Sequence, residues 1–505
     1  MSVLTTVREG ATAVGTDVEL PGFGNLDYPT ITVVTSLIWF GVGGVLGVAL
    51  PALQMFGGTT RLYYSSMTAH GVIMIFGGVF QLMAALSLVR ASSCLEGVPG
   101  TMTAKRALYV VLNLGVLTYF VGILMGTRAS YVMMFPLPLV GVKAGIWSRG
   151  SLVVTLLGLA LTLVAVSVLY PVTLLRTLLG GTSGGWRSRL GEMLSPEMLG
   201  MSFYGFWILP LGVAASPVIL SVLLRAARIV HVPFLTTPKV FEYTFWVFSH
   251  NLMEAMGVMV ISLVYALVPM YTKTDERGLY SRRLASVAMV FAAASAAGAF
   301  FHHLYTATGT QPATLSYYGQ LSSWLIGLGA SFTVFNVSAT VYRYGLNPSP
   351  GILAVLGGFG LYVVDGFTAV QISTLSWNFN LHGTTYITAH AMTIMTVVGI
   401  VWLGALYHYY PVLTGKFLDD RLGYVHVALT LVSTVGLYVT LLVAGVDGMP
   451  RRLFPLPSKY AVYLPPLLVF GVAMAAAQVV FVANALGYRP LKRVGDLFGF
   501  SGDGV

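Results

Sequence analysis

Nine histidines set out where chemistry could happen in this chain: His70, His231, His250, His302, His303, His382, His390, His408 and His426. Most of them stand inside or beside long apolar stretches. Neutral imidazole is a common metal ligand and the usual axial ligand of haem iron. The stretch WVFSHNLMEAMG, Trp246 to Gly257, adds a carboxylate, because His250 and Glu254 lie four apart. On a helix that spacing puts both on one face. Ionisable groups are expensive at membrane depth and mark function by default. His302 and His303 are consecutive and can join His250 around one metal from a second helix. His390 and Met392 are two positions apart, about 200° of helical rotation, so they address opposite sides. One helix could then serve two haems, with His70 as the partner for one of them.

The elements that must position these groups are membrane helices. Of 505 residues, 56% are hydrophobic and 9% charged, with a mean hydropathy of +0.82. A soluble domain would carry about 25% charged residues. Apolar runs long enough to span a bilayer, about 20 residues each, are predicted at 31–56, 66–90, 107–127, 150–175, 200–225, 241–271, 284–304, 318–342, 350–374, 383–412, 422–446 and 461–487. The fold class is therefore an all-α polytopic membrane protein of twelve transmembrane helices. A transmembrane barrel would instead show short alternating segments. Residues 1–30 form an N-terminal segment without a signal-peptide core, 31–487 one membrane domain, and 488–505 a C-terminal tail. Of the 27 Lys and Arg, 17 fall in the termini and the loops after even-numbered spans. The positive-inside rule then puts both termini in the cytoplasm. The net charge of +10 comes without a dense basic run, which argues against nucleic acid and for loop anchors at lipid headgroups. The single cysteine, Cys94, excludes a Cys-based copper or iron–sulfur site and any internal disulfide.

With these motifs in order, the chain resembles the catalytic subunit I of the haem–copper oxidase superfamily, which includes oxygen reductases and nitric oxide reductases. MTAHGVIMIF (Met67 to Phe76) is similar to the helix-two motif, Trp246 and His250 to the helix-six motif, and FHHLYT to the paired histidines of helix seven. HGTTYITAHAM (His382 to Met392) resembles the helix-ten motif, and GMPRR (Gly448 to Arg452) the propionate-binding arginine pair. The resemblance implies two haems and one non-haem metal. His70 would ligate the low-spin haem and His390 the high-spin haem. His250, His302 and His303 would bind the non-haem metal. Arg451 and Arg452 would pair with haem propionates, as guanidinium geometry suits, and His382 would lie near them. His231, His408 and His426 match no motif and read as packing or hydrogen-bonding groups. The resemblance also implies the cell (inner) membrane of a prokaryote.

Two departures from the family pattern bear on the reaction. Met392 stands where the family has a second histidine for the low-spin haem. Thioether sulfur can ligate haem iron, so the expected pair is His70 and Met392; the alternative is a methionine that packs. Glu254 stands where most oxygen reductases of the family carry a tyrosine, and the helix-seven stretch before His302 holds none. A histidine followed by glutamate four later resembles the nitric oxide reductases, where a carboxylate joins three histidines around iron. An anionic oxygen ligand favours iron, with copper possible. The second glutamate that those enzymes have one turn on is Val258 here. Glu254 can alternatively be a proton relay or a partner of a ligating histidine. Coupling two NO into N2O and water takes two electrons and two protons, without the extra reducing equivalent that a tyrosine supplies.

GASFTVFNVSATVY on span eight lines up with the family's proton-channel helix, with Thr333 as in the B-type branch. Ser331, Thr333 and Asn336 could form a polar track. No C-x-x-C-H motif is present, so electrons must arrive from a partner subunit with a copper or c-haem domain, or from a quinol. The sequence thus favours a nitric oxide reductase, with a terminal oxygen reductase as the alternative and a proton-coupled transporter as the third class.

Overall fold

The computed structural model describes residues 18–20, 24–26, 28–94, 102–128, 137–180, 186–274, 278–305 and 311–487. Most of the predicted N-terminal segment, 1–30, and the whole C-terminal tail lie outside them. Among the described residues, twelve helices are long and apolar enough to cross a membrane: α1 Tyr28–Phe56, α2 Thr60–Ser92, α3 Thr103–Leu124, α4 Arg149–Leu179, α5 Pro196–Ala226, α6 Pro238–Tyr271, α7 Arg282–Leu304, α8 Ala313–Tyr344, α9 Pro350–Ser373, α10 Thr385–Thr414, α11 Asp420–Val446 and α12 Ser458–Ala485. Each overlaps one predicted span. Most helices, α9 and α10 excepted, run longer than the apolar stretches, and polar caps extend some of them. Thr59 accepts a hydrogen bond from the amide of Leu62, satisfying one of the open donors of a helix start, and α2 therefore begins ahead of its apolar run.

Backbone satisfaction inside each helix makes this fold viable in lipid, but position in the bundle separates the helices. In the apolar windows, 89% of the residues of α2, 83% of α6 and 67% of α10 are buried, against 11% in α12 and 17% in α1. The three most enclosed helices are those that carry His70, His250 and His390. Directly after His70 the backbone widens into a π-helical segment, Ile73–Phe80, a geometry that clusters at functional sites.

Small residues let the helices close up, as expected where lipid removes the hydrophobic drive between them. At Gly158 on α4, a Cβ would stand 2.1 Å from the backbone nitrogen of Tyr119 on α3. Side chains lock other pairs: Trp207 on α5 donates to Asn251 on α6 at 2.8 Å, and Trp39 on α1 donates to Asn113 on α3 at 2.9 Å. Gly158→Val should force α3 and α4 apart. The expected cost is at least the 1–3 kcal/mol typical of overpacking, read as a lower unfolding temperature in detergent; an unchanged temperature would show that the crossing yields.

Candidate functional site

The end of α7 builds the centre of the site. Over Phe300–Leu304 the helix tightens into a 3-10 turn, which brings the consecutive rings of His302 and His303 to a centroid separation of 4.3 Å. His250 on α6 faces both, at 4.9 Å and 5.1 Å. One ligand atom from each of the three lies within 4.8 Å of the others. Two of the rings are also held from behind. Trp246, one turn before His250, stacks flat on His303 at 3.8 Å with 3° between the planes. Ser323 on α8 meets His302 Nδ1 at 3.0 Å. The buried His250 Nδ1 and His302 Nε2 have no hydrogen-bond partner. Buried imidazole nitrogens without partners carry a free-energy penalty, and a metal ion among the three rings removes it. The donor set fits a metal.

Glu254 sits at the edge of this group. Its Oε1 is 3.7 Å from His250 Nε2, and it is not among the atoms that lie within 4.8 Å of one another. The expected fourth ligand is thus adjacent to the triad and, as placed, touches the nitrogen of His250 opposite the unpartnered Nδ1.

A cavity of about 1000 Å³ runs from the triad past His390 and Met392 to His70. Its walls are mostly aliphatic and aromatic, as a porphyrin requires. His70 Nδ1 donates to the Gly43 carbonyl at 2.7 Å, which fixes the tautomer and leaves Nε2 as the ligating nitrogen. A Cβ at Gly47 would lie 2.6 Å from the His70 ring, so this helix turn admits only glycine beside that imidazole. Met392 lines the cavity opposite and also packs against Ala389, Tyr438, Leu441 and Leu467. His390 comes from the same helix on the other side, with Nδ1 3.0 Å from Oδ2 of Asp365 on α9.

The loop after α11 closes the cavity on the side of the α10 N-terminus. Thr385 N donates to Met449 O at 2.9 Å, and Arg451 N to Gly383 O at 3.2 Å. Tyr64 on α2 donates to Arg452 O at 3.0 Å, and Gln54 on α1 to Leu453 O at 2.8 Å. Arg452 has φ of 61°, a left-handed conformation rare outside glycine and often retained at ligand clamps. Both Arg451 and Arg452 line the cavity. His382 is buried nearby and pairs with Asn378 Oδ1 at 3.1 Å, while Asn378 donates to the His302 carbonyl at 3.5 Å.

The remaining predicted positions divide. Thr333 is buried and accepts from Tyr265 on α6 at 3.0 Å. Asn336 is buried but caps α7, bonding Ser281 N and O at 3.0 and 2.9 Å. Ser331 departs from the expected track: it is exposed on α8 and bonds back to Gly327 O at 2.8 Å, as membrane serines commonly do. His408 and His426 pair with Tyr271 and Tyr407, each at 3.0 Å, and His231 meets Thr236 at 3.2 Å. All three are hydrogen-bonding histidines outside the cavity.

The structure adds two residues to the site, both on α9. Asp365 is fully enclosed; an aspartate within a span was its signal in the sequence. Tyr362 lines the cavity, and a Cβ on Gly257 would stand 2.9 Å from its hydroxyl. Gly257 follows Glu254 by three positions, so this phenol approaches the face of α6 that carries the carboxylate. No local pattern announced Tyr362, because α9 holds no histidine.

The model of the family described as cytochrome c and quinol oxidase polypeptide I matches residues 29–482. The chain is 26% identical over 216 residues to cytochrome c oxidase subunit 1 of Thermostichus vulcanus, covering 42% of this chain but only 38% of that protein. Against cytochrome c oxidase subunit 1 of a Synechocystis species it is 22% identical over 477 residues, 89% of this chain and 81% of the relative. A solved heme-copper terminal oxidase dimer superposes with a TM-score of 0.73 at 17% identity, covering 91% of this chain and 84% of that one. At that identity the likeness is one of fold.

His382 lies outside the spans. Burial, and then the charges of Arg451 and Arg452, lower its pKa from 6.5 to about 4. Between those values the unfolded chain binds a proton that the folded chain refuses, so stability rises with pH across this window. The contribution is complete above pH 6.5 and is lost as pH falls towards 4. His382→Asn should flatten the pH dependence of the unfolding temperature in that window; equal slopes for variant and wild type would mean His382 titrates normally.

Proposed function

The chain belongs to the cytochrome c and quinol oxidase polypeptide I family, and from that premise we propose that it is the catalytic subunit of a respiratory haem–copper enzyme that reduces nitric oxide. The family implies two haems and a non-haem metal centre. His70 and Met392 would hold the low-spin haem, His390 the high-spin haem, and His250, His302 and His303 the metal, with Arg451 and Arg452 pairing propionates and His382 beside them. When bound, these groups supply the electrons and the Lewis acidity that join two NO molecules. The protein's share is to hold the imidazoles, keep the cavity apolar and deliver protons.

The observation that carries the choice of NO is Glu254, 3.7 Å from His250 at the rim of the triad. A carboxylate there adds negative charge beside a cation in a low-dielectric site and favours iron over copper(I). It is also the group in reach to hand a proton into the cavity. As a phenol cannot be replaced by a carboxylate in one-electron donation, a four-electron reduction is not what this position serves. Thr333 and its partner Tyr265 are the start of a proton entry path, in the manner of the B-type branch. Electrons would come from a copper or c-haem domain of a partner subunit or from quinol, with both termini on the cytoplasmic side of a prokaryotic cell membrane.

A second reading, oxygen reduction, has its own support. Tyr362 brings a phenol to the same cavity from α9, and the relatives above are named as oxidases. Anaerobic NO consumption with N2O formation by the purified complex, set against its oxygen uptake, separates the two. N2O formation is expected; vigorous oxygen uptake without any N2O would establish the oxidase reading, and a protein with no reduced haem bands would leave the transporter class. Glu254→Gln should lower NO turnover by roughly 10²- to 10⁴-fold, the range for a positioned proton-transfer group, with both haem spectra intact. Unchanged turnover would remove Glu254 from the reaction.

Met392→Leu keeps bulk but removes the sulfur. It should abolish the low-spin signature of one haem while leaving the other. A spectrum identical to wild type would make Met392 a packing residue, which its contacts with Tyr438 and Leu441 also allow.

A further inference from the structure

A carboxylate enclosed among membrane helices is a costly group to place, and Asp365 is fully buried. Its Oδ2 lies 3.0 Å from His390 Nδ1. Neither carboxylate oxygen makes an aligned hydrogen bond with any other group. Thr368, one turn further along α9, pairs its hydroxyl with the Tyr438 phenol instead. His390 is therefore the polar partner that accounts for Asp365 in this interior. The contact has the length of a close ion pair without the alignment of a finished hydrogen bond.

We infer that Asp365 is a positioning residue for the high-spin haem: it holds the Nδ1 proton of His390 and gives that ligand imidazolate character. The inference rests on the reading of His390 as a haem ligand. The other two classes of imidazole at the site are held by neutral groups, His70 by the Gly43 carbonyl and His302 by the Ser323 hydroxyl. Glu254 stays 3.7 Å from His250 Nε2, whereas Asp365 brings a carboxylate to 3.0 Å from His390 Nδ1. With Nδ1–H pointed at the carboxylate, Nε2 is fixed as the ligating nitrogen, and its basicity rises because the anion stabilises positive charge on the ring. A more basic ligand donates more density to iron and favours its oxidised state. The consequence is a stronger bond to the high-spin haem and a lower reduction potential there than a neutral backing group would give. The low-spin haem, with a thioether on one side, lies at the other extreme, so the two centres on α10 would differ in potential.

Resonance Raman spectroscopy of the ferrous purified protein reads the Fe–histidine stretch directly. The expected frequency lies above that of a ferrous haem with neutral imidazole; a frequency equal to it would overturn the inference without any mutation. In Asp365→Asn the stretch should fall and the midpoint potential of the high-spin haem should rise, with the low-spin haem unmoved. Haem retention at that site should drop by about 10- to 100-fold, as for other partners of ligating histidines. Asp365→Glu should restore part of the frequency. If the Asn variant keeps the wild-type stretch and potential, Asp365 is a structural ion pair only. A wild-type protein with no histidine-ligated high-spin haem at all would overturn the family assignment of His390, and this inference with it; that result is distinct from a band that is present and does not move.

Discussion

Every imidazole in the cavity is held on one side by protein, and the site depends on this. In an interior without water, an imidazole nitrogen must find a partner or cost free energy. The chain supplies a partner for one face of each ring and leaves the other to the cavity. Gly43 O takes His70, Ser323 takes His302, Asp365 takes His390, Glu254 approaches His250, and Trp246 stacks on His303. The result is a set of rings with a fixed aim, and at His70 the carbonyl acceptor also fixes the tautomer. Rigid aim matters more than proximity, because metal and haem ligation tolerates little misplacement.

The helices explain how such aim is achieved. The rings come from the best-enclosed members of the bundle, α2, α6 and α10, and from a 3-10 end of α7 that turns two consecutive histidines towards one point. The start of α10 is then tied to α1 and α2 by one loop. Residues 449–453 bond to the start of α10, to Tyr64 on α2 and to Gln54 on α1. The same loop carries the arginine pair, so the groups that would meet propionates are the groups that clasp the helices. The left-handed backbone at Arg452 is a local cost accepted where a clamp needs it.

Much of this was legible in the sequence, for physical reasons. Spans follow from hydropathy because the bilayer leaves helices no alternative. The triad follows from the four-residue spacing of Trp246, His250 and Glu254 and from the adjacency of His302 and His303. Partners brought together from different helices were not legible. Asp365 meets His390 and Tyr362 meets the α6 face at Gly257 only because α9 packs against both α6 and α10, and no spacing within α9 encodes that. Ser331 illustrates the converse. Its polarity suggested a track with Thr333, yet two positions along a helix separate the residues by about 200°, and Ser331 ends on the outside.

Glu254 and Tyr362 define the remaining chemical choice, and they are not equivalent occupants of one role. A carboxylate beside His250 changes the charge of the site and moves protons; a phenol can give up an electron as well. In oxygen chemistry the electron is the scarce item at bond cleavage, while coupling two NO molecules needs only the electrons that the metals already bring. Tyr362 reaches the cavity from α9, with its hydroxyl near Gly257, whereas Glu254 is one turn of α6 below His250 and within 3.7 Å of it. The carboxylate thus stands beside a candidate metal ligand, and the phenol reaches the same cavity from a different helix. A phenol and a carboxylate that share one cavity give its chemistry a group able to donate an electron and one able only to move a proton, and which of the two the reaction draws on decides between oxygen and nitric oxide.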